Sequence, residues 1–317
     1  MKKNRCPVCH SSVKENFLRN YDADGNNKMF VYDKCNDCGL VWISSVTDKN
    51  ELNDYYYDSY NGGRQGLVTK IRDNFKYFVN KSRYHLIRKY KISGIVLDCG
   101  CGNGDFIKYL STYTDFTVYG QDISLSSETE IKKKELDIPY YNTDLLDMEF
   151  TDYFDVITLW AVFEHVTNPA EYLKKLYGML KKDGYLVIQV QNIDSWQASL
   201  NLVDWFHFDT PRHVYNYTPY NLSVFLKKNG FSICEIKHFS IEHGIFGWFQ
   251  TIFNYLGFEF NVFYKFIKHG IINKNPFQLA MNILISPVIC VVSIMLHIIE
   301  SIYSKSGIIT VVAKKNN

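Results

Sequence analysis

One stretch constrains the fold more than any other: Val96-Leu-Asp98-Cys-Gly100-Cys-Gly102-Asn-Gly104-Asp105-Phe-Ile. The apolar run Ile95-Val-Leu gives a short buried strand that ends at Asp98. Glycines at 100, 102 and 104 then let the backbone turn tightly and approach a ligand with no Cβ in the way. A helix is expected from about Asp105. Strand, glycine turn and helix in this order build a doubly wound sheet, with the ligand at the carboxyl end of the first strand.

The rest of the chain supports that reading. Strand-like apolar runs recur at 117–120, 154–159, 184–190, 231–239 and 308–313, with helical stretches between them. This alternation predicts an α/β domain with helices on both faces of a mostly parallel sheet. Residues 70–90 read as an amphipathic helix. The expected divisions are 1–45, a cysteine-bearing module; 46–93, a helical lead-in; 94–240 with 306–317, the sheet domain; and 241–305, a hydrophobic insertion. A net charge of +2 on 317 residues disfavours an electrostatic nucleic-acid binder.

The details of the turn select its ligand. A dinucleotide fingerprint requires a third glycine where this chain has Asp105. A carboxylate at a helix start would repel a pyrophosphate. S-adenosylmethionine has no phosphate. Asp98 suits its cationic part, and N–H groups of the turn suit its carboxylate. Asp122, ending the second strand, is placed to accept from both ribose hydroxyls. Asp144, where a third strand should end, is placed to accept from the adenine amino group. The alternative for Asp122 and Asp144 is a solvated loop acid.

On these residues the chain resembles the class I S-adenosylmethionine-dependent methyltransferases over roughly 94–240 plus the final strand. Phe154-Asp-Val-Ile-Thr-Leu-Trp160-Ala-Val-Phe-Glu164-His165-Val-Thr-Asn-Pro169 is similar to the family's fourth strand and following helix. Leu180-Lys-Lys-Asp-Gly184 is similar to its turn into the fifth strand. The resemblance implies a Rossmann-like, doubly wound, mostly parallel seven-stranded sheet. It implies cofactor contacts from Asp98, Gly100, Gly102, Gly104, Asp122 and Ile123, with Asp144, Leu145 and Trp160 near the adenine or methionine ends.

Cys6-Pro-Val-Cys9 and Cys35-Asn-Asp-Cys38 form two matched knuckles. Four thiolates on two tight turns close a tetrahedral structural zinc site, so a zinc ribbon is expected. A redox-active pair or unrelated cysteines are the alternatives. No secretory leader is read at the start, so a reducing cytoplasm is expected. Zinc-module methyltransferases of this kind are similar to enzymes that modify sugars in bacterial glycan and antibiotic pathways. That implies a sugar, or a lipid-linked glycan intermediate of the cell envelope, as acceptor. An NAD-dependent sugar oxidoreductase or epimerase, and methyltransferases acting on a lipid, a quinone or RNA, are the alternatives.

Methyl transfer is an in-line displacement at a cationic sulfonium, so positioning supplies most of the catalysis. An alcohol acceptor must also lose a proton. The candidate bases are His165, in Glu164-His165 beyond the fourth strand, and His213. His213 lies in a segment rich in polar groups, from which His207, Asp209, Arg212 and Tyr215 are expected to bind substrate. Packing or loop-pinning is the alternative role for both histidines.

From Asn275 to Ile299 the chain has no Asp, Glu, Lys or Arg. A single membrane crossing would strand the closing strand at 308–313. Pro287 favours a broken helix or hairpin, and the aromatic run at 246–255 suggests an interfacial segment. Monotopic attachment to the inner face of the cytoplasmic membrane is expected, with a dimer interface or a cap over the site as the alternatives. Oligomeric state stays open.

Overall fold

The computed structural model describes residues 5–22, 28–46, 51–52, 55, 67–261, 263–265 and 276–316. Three antiparallel strands come first: β1 (Lys14–Tyr21), β2 (Met29–Cys35) and β3 (Val41–Ile43). Helix α1 (Leu67–Arg88) leads into β4 (Gly94–Cys99), α2 (Asp105–Tyr113), β5 (Phe116–Gln121), α3 (Leu125–Lys133) and β6 (Tyr140–Tyr141). The chain continues through β7 (Phe154–Trp160), α4 (Pro169–Met179), β8 (Leu180–Gln191), α5 (Trp196–Leu200), β9 (Tyr215–Asn216) and α6 (Pro219–Lys228). It ends with β10 (Phe231–Lys237), α7 (His243–Tyr255), α8 (Pro276–Ile302) and β11 (Ile308–Lys315).

The main sheet has seven strands in the order β10-β11-β8-β7-β4-β5-β6. Strands β4 to β8 run parallel, and β11 lies antiparallel between β8 and β10. Leu97, Ile157, Leu159, Leu186 and Ile188 are fully buried. Runs this apolar form strands because helices cover both faces of a parallel sheet. β4 neighbours β7 although β5 and β6 intervene in sequence. The loops after β4 and β7 therefore diverge and leave a crevice, which is where ligands bind in such sheets.

The second sheet has the order β1-β2-β3-β9, so its fourth strand comes from the polar loop beyond β8. Trp42 of β3 faces Tyr215 across that junction. The buried Tyr32 hydroxyl donates to Thr210 Oγ1 at 2.9 Å, and Asn20 Nδ2 reaches the same oxygen at 3.1 Å. The Asn221 amide, which also completes a capping box with Thr218 at the start of α6, donates to the Cys38 carbonyl at 3.3 Å. The cysteine-bearing segment is thus bonded into the larger domain.

The insertion departs from expectation in two ways. First, α8 is one continuous helix with Pro287 inside it. Proline removes the hydrogen bond to the carbonyl four residues earlier, at Ile283. That carbonyl instead accepts from the Ser286 hydroxyl at 2.8 Å, so the helix is not broken. Second, the aromatic run in α7 is no interfacial segment: Trp248, Phe249 and Phe253 are buried within the protein. α8 is fastened by a buried polar cluster at its end. His297 Nε2 accepts from Ser240 N at 3.2 Å, and its Nδ1 donates to Glu300 Oε1 at 2.9 Å. Gln197 Nε2 donates to the same Glu300 oxygen at 2.9 Å.

Tyr32→Phe tests the junction between the two sheets. Loss of one buried hydrogen bond should lower unfolding free energy by about 1 kcal/mol, read as a shifted denaturant midpoint with an unchanged slope.

Candidate cofactor and acceptor site

Asp98 ends β4 nearly fully buried, with Oδ1 accepting from the Thr158 hydroxyl at 2.5 Å. Burial pushes its carboxyl up to about 7, against the pull of Thr158 and of the Arg83 guanidinium. Gly100, Gly102 and Gly104 all have positive φ, of 67°, 54° and 75°. A Cβ on Gly100 would lie 2.4 Å from Val162 Cγ2. That glycine lets the turn after β4 meet the turn after β7.

The N–H groups of the glycine turn are largely taken up inside the protein, mostly by the end of β5 and the residue after it. Gly100 N donates to Gln121 Oε1 at 3.3 Å, and Cys101 N to Gln121 O at 3.0 Å. Gly102 N donates to Asp122 Oδ2 at 2.8 Å, and Gly104 N to Cys101 O at 3.0 Å. The expectation that they receive a carboxylate is therefore corrected. Asp122 takes a second backbone N–H, from Ser124, at 2.8 Å. Each of its oxygens keeps a further lone pair for a hydroxyl donor. Ile123 beside it is 68% exposed, an apolar surface available to a flat ring.

Asp105 is not the bare carboxylate expected. Lys76 and Lys134 each lie 2.5 Å from it. Burial raises its pKa, yet hydrogen bonds from these lysines hold it below the ordinary range. Its charge is no argument against a pyrophosphate. Asp144 caps the short turn after it by accepting from Leu146 N at 3.0 Å, and it also accepts from the Tyr172 hydroxyl at 2.7 Å. The Leu145 side chain is buried in the core.

Trp160 ends β7 on the floor of a cleft shared with Gln189, Thr310, Ser240 and Glu242. Its ring packs edge-on to Phe106, and the Arg83 guanidinium lies 4.8 Å above it. Arg83 also pairs with Glu242 at 2.7 Å. Trp160 Nε1 and Gln189 Oε1 are buried with no partner, as polar groups are where a ligand completes a site. Arg83 was missed from sequence because nothing in α1 distinguishes it from the other basic residues there.

Beyond β7, Ala161 takes a left-handed φ of 56° and starts a tight turn carrying Glu164 and His165. Val214 N donates to Glu164 O at 2.9 Å, which brings His213 alongside. The rings of His165 and His213 have centroids 4.8 Å apart, and His213 Nε2 is 3.9 Å from Glu164 Oε1. Burial lowers the pKa of both histidines, that of His213 to about 3, and lifts Glu164 to about 8. The two candidate bases therefore form one cluster of neutral rings.

The four residues expected to bind substrate hold this cluster in place. His207 Nε2 donates to His243 O at 3.0 Å, and its ring fills the space beside Gly247. Burial lowers its pKa to about 3. Arg212 is paired to both carboxylate oxygens of Asp209, with Nε to Oδ2 at 2.8 Å. Against the penalty of burial, Arg212 brings the Asp209 pKa down to about 2. Tyr215 is buried in β9, and its hydroxyl donates to Thr167 O at 3.1 Å. The polar group of each has an intramolecular partner.

The Sγ atoms of Cys6 and Cys38 are 3.6 Å apart, those of Cys9 and Cys35 are 3.4 Å apart, and all four lie within 4.8 Å. Tetrahedral zinc with Zn–S bonds of about 2.3 Å sets sulfurs about 3.8 Å apart, so this donor set fits the metal.

Gly100→Ala would force a strained φ and a clash with Val162. The expected loss is about 1–3 kcal/mol of stability, read by thermal unfolding, from overpacking at this contact.

Residues 69–236 match a family described as a methyltransferase domain, just over half of the chain. A Rickettsia felis protein named ubiquinone biosynthesis O-methyltransferase is 28% identical over 161 residues, 47% of this chain and 64% of its own length. One of the same name from Bradyrhizobium diazoefficiens is 29% identical over 153 residues, 43% of this chain and 60% of its own. The chain thus spans less than two thirds of the length of these relatives. Among solved structures, Haemonchus contortus phosphoethanolamine N-methyltransferase 2 with S-adenosyl-L-methionine superposes with TM-score 0.51 at 14% identity, covering 96% of this chain and 69% of that one. That likeness is one of fold. With the sheet order, the glycine turn and the family match together, the chain belongs to the class I S-adenosylmethionine-dependent methyltransferases.

Proposed function

We propose that the protein transfers a methyl group from S-adenosylmethionine to a hydroxyl of an apolar, ring-bearing acceptor of the quinone or lipid class. The observation that carries the reading is the buried Asp98 carboxylate at the end of β4, beside a turn of three glycines with positive φ. It suits the cofactor's ammonium and sulfonium. Asp122 would hold the ribose hydroxyls and Ile123 the adenine face, with Asp144 at the rim. Arg83, above Trp160, supplies the positive charge for the methionine carboxylate that the glycine turn does not offer.

The acceptor hydroxyl would sit at Glu164, His165 and His213, on the turn that Gly100 allows close to the cofactor. Its oxygen attacks the methyl carbon as the S–C bond breaks and sulfur takes the electron pair. The products are a methyl ether, S-adenosylhomocysteine and a proton. The Asp209–Arg212 pair and His207 position that cluster.

The acceptor class is supported by the relatives' name, ubiquinone biosynthesis O-methyltransferase. It replaces the sugar acceptor expected from the cysteine knuckles. α8 adds a second support. Leu284, Val288, Val291, Met295, Ile298 and Ile302 are exposed along one stripe at helical spacing, and Ala280–Ile302 is apolar enough to span a membrane by length and composition. The stripe would lie flat on a lipid surface, since β11 must return to the sheet directly after it. Ser240 joins α8 to the cleft wall through His297. A zinc ion on Cys6, Cys9, Cys35 and Cys38 would close the four-stranded sheet, β9 included.

Isotope-labelled S-adenosylmethionine offered with a polyprenylated dihydroxybenzene in vesicles, or with a nucleotide sugar, tests the reading. The labelled methyl should appear as an ether on the phenolic oxygen. Leu284→Lys with Val288→Lys should slow the vesicle-borne reaction and spare a short-chain soluble acceptor. Label in the sugar alone would sink the acceptor class.

Cofactor affinity should depend on pH through Asp98. A cation binds the ionised carboxylate, whose pKa is about 7 in the protein alone. Affinity is therefore full above about pH 7 and falls about tenfold per unit well below it. Asp98→Asn should weaken binding and abolish this slope in calorimetric titrations.

A further inference from the structure

We propose that Trp160 and Gln189 form a subsite that recognises a free hydroxyl on the acceptor, one that is bound and not methylated. The two residues are register partners across β7 and β8, so their side chains leave the same face of the sheet. With Thr310 of β11 they make the floor of a cleft. One wall is α1, with Arg83 and Leu86, and the other is the segment after β10, with Phe239, Ile241 and Glu242.

Two observations identify the ligand group. Trp160 is 9% exposed and Gln189 6%, and Trp160 Nε1 and Gln189 Oε1 have no hydrogen-bond partner among the described residues. Bare polar atoms at such depth are costly, and a ligand group that bonds both removes the cost. The two atoms are also complementary in kind. An indole N–H only donates, and an amide oxygen only accepts. The other end of the Gln189 amide is committed, since its Nε2 donates to Thr310 Oγ1 at 3.0 Å. A hydroxyl serves both atoms at once: its oxygen accepts from Trp160 and its hydrogen goes to Gln189. A carbonyl or an ether would leave Gln189 bare, and an ammonium would leave Trp160 bare. Size points the same way. The cleft has a volume of about 40 Å3, room for a hydroxyl, whereas a benzene ring needs about 150 Å3. The ring therefore stays at the rim, against Phe239 and Ile241, and only its hydroxyl enters.

The subsite deepens the reading above and rests on it for the ring. Arg83 and Glu242 pair across the two walls over this floor. With Arg83 turned to the methionine carboxylate, the passage between the walls is free. An amide oxygen is far too weak a base to take the hydroxyl proton, so the group held here stays a hydroxyl while another, at Glu164, His165 and His213, is methylated. A methylated oxygen has no hydrogen to donate to Gln189 and brings a methyl group into a space sized for a hydroxyl. The subsite therefore limits the reaction to one methyl per dihydroxylated ring.

The test uses the full chain, zinc retained on the cysteines and S-adenosylhomocysteine bound. Calorimetry compares a short-chain dihydroxybenzene with the phenol that lacks its second hydroxyl and with its monomethyl ether. Wild type should bind the dihydroxybenzene about tenfold or more tighter than either analogue. Trp160→Phe, which keeps a ring against Phe106 and Arg83, and Gln189→Met should each bring that ratio below about threefold. With S-adenosylmethionine instead, wild type should stop at the monomethyl ether, and the variants should go on to the dimethyl ether. Circular dichroism checks the fold, and should one variant misfold the other carries the test. If wild type binds none of the three or all three alike, or a folded variant keeps the preference, the proposal is overturned. Methyl transfer to the phenolic oxygen in that case leaves the proposed reaction standing. A preference that the variants lose, in a chain that methylates no ring hydroxyl, leaves the subsite and sinks the reaction.

Discussion

The contact between Gly100 and Val162 governs the arrangement of this protein. Two loops diverge at the switch point of the sheet, and only a residue without a Cβ lets them meet again above it. One loop brings Asp98 and the turn that Asp122 ties down. The other brings Trp160, Glu164 and His165. Strands β4 and β7 set the distance between the loops, and the missing side chain sets how closely they approach.

The polar segment between β8 and α6 works in support of that arrangement. Its histidines, its ion pair and Tyr215 have partners inside the protein, and the result is a fixed position for His213. The cysteine-bearing strands contribute directly, because β9 is both the end of this segment and the edge of their sheet. The cysteine-bearing strands are tied to the segment that carries His213 through two residues of β-ladder and the Tyr32–Thr210 bond.

The insertion joins a buried polar end to an apolar exposed face. His297, Glu300 and Gln197 are held among themselves at the end of α8, next to Ser240 on the cleft wall.

Much of this was legible in the sequence, because strand periodicity, the glycine spacing and the paired cysteines are local patterns set by backbone geometry. They gave the mostly parallel sheet, the turn at 100–104 and the paired cysteines, and the resemblance they carry gave the family and its seven strands. The cluster was half legible: Glu164-His165 stood out beyond a strand, and His213 stood out by type. Which polar groups stay available could not be read in this way. Arg212, Tyr215 and His207 are reactive residue types whose capacity is taken up by Asp209, Thr167 and His243, partners that only packing supplies. Asp105 lost its expected influence to Lys76, on α1, and Lys134, just past the end of α3. Pro287 failed to break its helix because a neighbouring serine satisfied the freed carbonyl. The sequence by itself determined the order of elements and where side chains had to be absent, since those depend on φ and on alternation. The tertiary structure alone decided which charges are paired and which nitrogens face a common point, since those depend on distances between residues far apart in the chain.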